Sequence, residues 1–120
     1  MAITLFNVNN EEYIGDNVYF IHRPYVLSNP YTHIKDKKTL AMFIVPTRDE
    51  AIDKYSHYFD IMYGNDILFT KVIDEIYEKY RKGEDIKLGC YCYPERCHGE
   101  IIINKLRARL MKEMIKNRKK

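Results

Sequence analysis

The segment from Leu88 to Glu100 concentrates the side chains of this sequence that could do chemistry. It reads LGCYCYPERCHGE and holds all three cysteines and one of the four histidines of the chain. Cysteine, histidine and glutamate supply nucleophiles, proton carriers and metal ligands. The pattern predicts a strand that turns directly into a helix, and ligands of open α/β sheets bind beside such turns. We therefore expect the functional site here.

A zinc site is the first of three interpretations of this segment. Cys90, Cys92, Cys97 and His98 are residue types that Zn²⁺ accepts. Zinc ligands usually come as two separated pairs, however, and the adjacent Cys97 and His98 would strain one tetrahedral centre. The sequence therefore predicts no cofactor, with zinc at these four residues as the alternative.

A reactive thiol at Cys97 is the second interpretation. The predicted helix N-terminus and the neighbours Arg96 and His98 all favour a thiolate at Cys97. Such a thiolate could act as a nucleophile, with His98 or Glu100 carrying the proton. The candidate catalytic residues are accordingly Cys97, His98 and Glu100.

The third interpretation is structural, because Cys is among the most buried residue types and Cys90 and Cys92 could fill the core. This interpretation is compatible with a bound ligand, since backbone N–H groups at a helix start bind phosphate or carboxylate without a thiol. We predict that the helix begins at Pro94. Residues 94–99 would then form the mouth of the site, with Cys90 facing the core and Cys97 or His98 facing the pocket.

A second constellation, Arg23-Pro24 followed by Asn29-Pro30-Tyr31, comes directly after an apolar run. If that run and the cysteine strand are parallel, both turns open at one edge of the sheet. Arginine offers a planar fork to phosphate or carboxylate, and asparagine offers a donor and an acceptor. Alternatively, Arg23 caps a carbonyl and Asn29 holds an Asx turn. The candidate ligand-binding residues are Arg23, Asn29, Arg48, Cys92 and Arg96.

Four strands are predicted from apolar runs and turn signals. They cover residues 3–8, 18–22, 40–45 and 85–92, and residues 23–39 form a long loop. The run Val18–His22 is continuously apolar up to its histidine, which predicts a strand buried on both faces.

Three helices follow from capping signals and helical spacing. Thr47 and Glu50 form a capping box, and Gly64-Asn65 ends this first helix. A second helix runs from about Asp66 to Gly83, and a third carries an apolar stripe formed by Ile103, Leu106, Leu110 and Met114. The order predicts a small single-domain α/β protein, a Rossmann-like sandwich with a mostly parallel sheet flanked by three helices. The domain would span residues 1–106, with 107–120 as the basic, frayed end of the last helix.

Length, charge and cysteine count limit the function classes. The chain has 120 residues, enough for one domain, and 46% apolar residues, too many for a disordered chain. Residues 101–120 hold eight of the 20 basic and one of the 17 acidic residues, which leaves a net charge of −4 on residues 1–100. No apolar run could span a bilayer, and no secretory signal is evident. Three cysteines without a signal favour the cytoplasm.

Together these residues resemble the domain of unknown function 4326 family, which is found in phages and bacteria. The resemblance spans about residues 3–106 and includes, in order, Arg23-Pro24, Asn29-Pro30-Tyr31, Thr47 to Ala51 and Leu88 to Glu100. Four positions depart from the family pattern: His22 and Ser28 replace Gly, Tyr91 replaces Trp, and Glu100 replaces Asp. The resemblance implies the fold and the location of the site, but no reaction. With a composition rich in Lys, Tyr and Ile, it suggests an accessory protein of a phage with an AT-rich genome.

We expect a protein that binds a small anionic ligand, a nucleotide or a nucleotide-derived metabolite, at the strand-end turns and could act on it enzymatically. The alternative is a phage interaction protein that binds a host protein or nucleic acid through its basic last helix, with Lys105, Arg109, Lys112 and Lys116 on one face. We expect no membrane partner. Motifs of classical dinucleotide enzymes, P-loop NTPases, zincins and serine hydrolases are absent from the sequence.

Overall fold

The computed structural model describes residues 2–23, 25–32 and 43–118 of the chain. Its elements are β1 (Ile3–Asn7), β2 (Val18–Phe20), β3 (Tyr31–Thr32), β4 (Phe43–Ile44), α1 (Arg48–Met62), α2 (Ile67–Arg81), β5 (Ile86–Cys90) and α3 (Gly99–Arg118). The predicted α/β class is confirmed. The strand predicted at 40–45 is observed at 43–44, and residues 40–42 lie outside the described part. Residues 31–32 form a strand where a loop is predicted.

The main sheet has three parallel strands in the order β1-β5-β2. Ile3 lies opposite Ile86, and Val18 lies opposite Lys87. The central position of β5 gives it a hydrogen-bonded neighbour on each side. Because all three strands run in one direction, their carboxyl ends meet at one edge, as the sequence predicts for the strands at 18–22 and 85–92.

Helices α2 and α3 pack against one face of this sheet, and α1 joins the same core beside α3 and β3. Alternate strand residues, namely Ile3, Ile86, Leu88 and Cys90, join one core with Tyr55 of α1, Ile73 of α2 and Leu106 of α3. Within the described residues no helix covers the opposite face, where Phe20 of β2 is 36% exposed. The prediction that this strand is buried on both faces is therefore wrong.

Because Gly89 in β5 has no side chain, aromatic rings pack directly over its backbone on the uncovered face of the sheet. A Cβ at Gly89 would lie 2.8 Å from Phe6 Cζ and 2.9 Å from Phe20 Cδ1. Phe6 is buried there and meets Tyr13 edge-on, with ring centroids 4.9 Å apart. The sheet thus has an aliphatic face under the helices and an aromatic face opposite.

The first two helices begin and end at the predicted signals. Thr47 accepts a hydrogen bond from the Glu50 amide at 3.1 Å, and Asp66 accepts one from Phe69 at 2.8 Å. Gly64 and Gly83 both have φ near 90°, the left-handed conformation that glycine adopts easily after a helix.

The start of α3 differs from the prediction. The helix begins at Gly99, and Pro94 lies in a turn that the Glu95 amide closes by donating to the Cys92 carbonyl at 2.8 Å. From Gly99 the helix continues to Arg118 without a break at residue 106. None of the helices within residues 48–118 has the length and apolarity that a bilayer crossing requires.

Candidate functional site

The turns after β1, β2 and β5 lie side by side at the carboxyl edge of the sheet. Asn7, the last residue of β1, donates through Nδ2 to the carbonyls of Tyr91 at 3.1 Å and Tyr93 at 2.9 Å. The Ile21 amide, just after β2, donates to the Gly89 carbonyl at 2.9 Å. These bonds fix the turn that carries Cys92 against the turn that carries Arg23.

The three cysteines occupy different environments. Cys90 and Cys97 are buried in the core, and Cys92 is half-buried. Cys90 Sγ donates to the Phe6 carbonyl at 3.7 Å. The interaction of the two buried thiols, Cys90 and Cys97, lowers the pKa of Cys90 and raises the pKa of Cys97. The Gly99 amide donates to Cys97 Sγ at 3.2 Å. Cys90 faces the core as predicted.

His98 is buried as well, contrary to the expectation that Cys97 or His98 faces a pocket. Its Nε2–H donates to the Ile21 carbonyl at 2.8 Å, and its ring centroid lies 4.7 Å from that of Tyr55. Burial lowers the pKa of His98 to about 4, so the ring is neutral near pH 7. The geometry makes His98 a link between the end of β2 and the start of α3.

Arg96 and Glu100 belong to an ion-pair network at the surface. Arg96 donates to Glu100 Oε1 at 2.6 Å and to Asp49 Oδ1 at 2.9 Å, and its third carboxylate neighbour is Asp53 at 3.6 Å. These partners raise the pKa of Arg96 further above its usual value. The network joins the first turn of α1 to the first turn of α3.

Asn29 adopts the structural alternative that the sequence analysis left open. Its Oδ1 accepts from the Tyr31 amide at 2.9 Å, and its Nδ2 donates to the Ala51 carbonyl at 2.9 Å. Its own carbonyl accepts from Arg23 Nη1 at 2.9 Å. Asn29 thus anchors the loop to α1 and holds Arg23 in place.

Arg23 and Arg48 both act on the half-buried Cys92. Burial and the charge of Cys90 raise the pKa of Cys92, and the positive charges of Arg48 and Arg23 oppose this rise. Arg48, at the start of α1, is ion-paired with the exposed carboxylate of Glu95, which lies in the same turn as Cys92. Arg23 and Cys92 follow the paired strands β2 and β5, and Arg48 reaches the turn after β5 through Glu95, so these three predicted ligand-binding residues lie at one edge.

An aromatic cluster, defined as Phe20, His22, Tyr25 and Tyr91, adjoins this edge. The centroid of His22 lies 4.5 Å from that of Tyr91 and 5.0 Å from that of Tyr25, and Phe20 lies 5.4 Å from Tyr25. These residues form no recognisable group in the linear sequence. Strand alternation predicts that Phe20 and His22 share one face and that Gly89 and Tyr91 share one face. Only the register, which sets Phe20 opposite Gly89, shows that these two faces are the same.

The four basic residues predicted to bind a macromolecular partner through α3 divide into two pairs. Lys105 donates to Asp60 Oδ1 at 2.9 Å, and Arg109 donates to Asp74 at 2.9 Å while its guanidinium lies 3.9 Å from the centroid of Tyr77. Lys112 and Lys116 are exposed on the outer part of the helix. Lys105 and Arg109 thus hold α3 against α1 and α2.

The described residues contain no group of three or more His, Cys, Asp and Glu side chains placed to hold a metal ion. Cys90 Sγ donates to the Phe6 carbonyl at 3.7 Å, and His98 Nε2 donates to the Ile21 carbonyl.

The chain matches the model of a known protein family. The family model described as "Domain of unknown function (DUF4326)" matches residues 6–108. No curated protein and no solved structure matches the chain.

Proposed function

Since the chain belongs to the DUF4326 family of domains of unknown function, we propose that it binds a small anionic ligand, a nucleotide or a nucleotide-derived metabolite, at the carboxyl edge of its sheet. The observation that carries this proposal is the placement of two arginines at one edge: Arg23 follows β2, which pairs with β5, and Arg48 is ion-paired with Glu95 in the turn after β5. Two guanidinium groups at one strand-end turn suit a phosphate or carboxylate.

Arg23 is prepared for an anion by its surroundings. One of its N–H groups donates to the Asn29 carbonyl, which fixes the guanidinium, while five donors are available on the side chain in total. Among the described residues no carboxylate forms an ion pair with Arg23. A bound anion would supply that charge partner.

Arg48 can exchange its present partner for a ligand. The Glu95 side chain is 69% exposed, and ion pairs at the surface contribute little to stability. An incoming phosphate carries more negative charge than a single carboxylate and can displace Glu95 towards solvent. Glu95 would then act as a placeholder in the unliganded protein.

The proposal gives Asn29 and Arg96 supporting roles and gives Cys97, His98 and Glu100 no catalytic role. The first two hold the loop and the helix starts in place. The proposed function is therefore binding. The setting is part of the same proposal: a phage accessory protein acting in the host cytoplasm, supported by the family resemblance and by a composition that includes 11 Tyr.

Calorimetry and thermal-shift measurements with nucleotides, nucleotide sugars, cyclic nucleotides and pyrophosphate test this proposal. We expect at least one phosphorylated compound to bind, and Arg48→Gln to weaken it by about tenfold through loss of a charge-assisted contact. Arg107→Gln, at an exposed position of α3, is the matched control and should bind like the parent protein. If no compound of the panel binds, or both variants lose the same affinity, the proposal is wrong.

A further inference from the structure

The aromatic cluster is held in place by the backbone of the sheet edge. Phe20 lies opposite Gly89, and alternation carries His22 and Tyr91 onto the same face. His22 Nδ1 lies 2.9 Å from the carbonyl oxygen of Arg23, and the Tyr91 carbonyl is bound by Asn7. The rings are therefore positioned by the strands and their first turns.

The cluster remains open to solvent although its members contact one another. Tyr91 is 54% exposed and Tyr25 is 48% exposed. Phe6 on the same face is 2% exposed, because Tyr13 and Phe20 cover it. The aromatic face thus has a closed part over β1 and an open part at the carboxyl edge.

We infer that this open part binds the base of a nucleoside phosphate by stacking, with Tyr91 and His22 as the main contacts. The inference rests on the proposed function and adds base recognition to it. Proteins commonly bind exposed bases on aromatic side chains. His22 and Arg23 are consecutive residues at the edge: the His22 ring lies on the aromatic face, whereas Arg23 bonds to the Asn29 carbonyl on the side of α1. A bound nucleotide would therefore cross the edge, with its base on the aromatic face and its phosphate at the arginines.

The charge distribution favours a single nucleotide over a strand. Affinity for a nucleic acid strand depends on several phosphate contacts with basic residues. Residues 1–100 carry a net charge of −4, and the carboxylates of Asp49, Asp53 and Glu95 lie beside the edge, within its ion-pair networks. Such a surface can hold one phosphate between two arginines but would repel a continuous backbone.

Isothermal titration with AMP, UMP and ribose 5-phosphate tests the inference. We expect AMP to bind about tenfold more tightly than ribose 5-phosphate, and UMP to lie between them because purines offer the larger stacking area. Tyr91→Leu should reduce AMP affinity to that of ribose 5-phosphate and leave ribose 5-phosphate unchanged. Tyr91→Trp should restore AMP binding, and in a protein without native Trp its fluorescence should change on binding.

Tyr93→Leu is the matched control, because Tyr93 is 41% exposed in the same turn and is not part of the cluster. It should bind AMP like the parent protein, and urea unfolding should show equal stability for all three variants. Equal binding of AMP and ribose 5-phosphate by the parent protein would overturn base stacking and leave the proposed function standing. Failure of all three compounds and of the wider nucleotide panel would overturn both. Much tighter, strongly salt-dependent binding of a single-stranded oligonucleotide would replace the nucleotide with a strand.

Discussion

His98 Nε2 lies 2.8 Å from the carbonyl oxygen of Ile21, and this hydrogen bond joins the turn before α3 to the residue after β2. Ile21 itself is fully buried, and its amide donates to Gly89 of β5. The bond therefore connects the sheet edge to the start of the last helix. Its donor is a titratable ring inside the core, which makes the stability of the fold dependent on pH.

Acid should destabilise the protein through His98. Its pKa is about 4 in the folded protein, below the ordinary value of 6.5 expected on unfolding, so the unfolded chain binds the proton more tightly. The stabilising contribution is complete above pH 6.5 and is lost as pH falls towards 4. About 2 kcal/mol should disappear between pH 7.5 and pH 5, measured by urea unfolding.

His98→Gln should flatten this pH dependence, and His57→Gln, at an exposed position of α1, should not. An NMR titration of the parent protein provides a second measurement if His98→Gln fails to fold. The imidazole of His98 should stay neutral at pH 5. A normal titration near pH 6.5 would contradict the prediction.

Native thiol reactivity should distinguish Cys92 from the other two cysteines. Cys92 is half-buried, whereas Cys90 is 2% and Cys97 is 3% exposed. With a thiol reagent such as DTNB, one thiol per chain should react rapidly, and two should react only through unfolding. Cys92→Ser should remove the rapid phase and Cys97→Ser should retain it. Rapid reaction of two or three thiols in the native protein would show that the buried pair is accessible.

The sequence indicates where the site lies more clearly than how its residues are used. Capping signals and apolar spacing predict α1, α2 and β5, because local hydrogen bonds and periodicity determine them. The start of α3 is predicted wrongly, because Pro94 suits both a turn and the first turn of a helix. Only contacts with distant parts of the chain decide between these two structures. The wrong expectation that Cys97 or His98 faces a pocket follows from that error, since both residues precede the helix and are buried.

The aromatic cluster depends on long-range information. Phe20 and Tyr91 are 71 positions apart in the sequence and join one cluster, through His22, only because of the parallel register of β2 and β5. The uncovered face of the sheet is equally hidden, because an apolar run such as Val18–Phe20 is compatible with a helix on one face or on both. Register and layer order are properties of the assembled fold.

Gly99→Ala should destabilise the protein through crowding at the start of α3. A Cβ at this position would lie 2.4 Å from Leu5 Cδ2 and 2.8 Å from Ile21 Cδ1. Both contacts are side-chain ends that can shift at a cost, so we expect a loss of about 1–2 kcal/mol in urea unfolding. In a Leu5→Ala background the same substitution should cost about 1 kcal/mol less, because the tightest contact is gone. Equal costs in both backgrounds would place the strain elsewhere.

Substitutions along α3 should separate residues that stabilise the fold from residues available to a partner. Arg109 donates to Asp74 at 2.9 Å and to the Tyr63 hydroxyl at 3.0 Å, and it stacks on Tyr77. Arg109→Ala should cost about 1–2 kcal/mol, because it removes a cation–π contact and leaves the Asp74 carboxylate without this guanidinium. Lys112→Ala with Lys116→Ala should change stability by less than about 0.5 kcal/mol, as is usual at exposed positions.

The double substitution of Lys112 and Lys116 by Ala also tests whether α3 binds nucleic acid. If it does, the exposed Lys112 and Lys116 provide the phosphate contacts, and their joint loss should reduce the salt dependence of binding by about two counterions in fluorescence anisotropy with duplex DNA. Lys105→Ala is the control, because Lys105 is paired with Asp60 at 2.9 Å and should leave that salt dependence unchanged. Binding that survives the double substitution with its salt dependence intact would exclude the outer part of α3 as the contact surface.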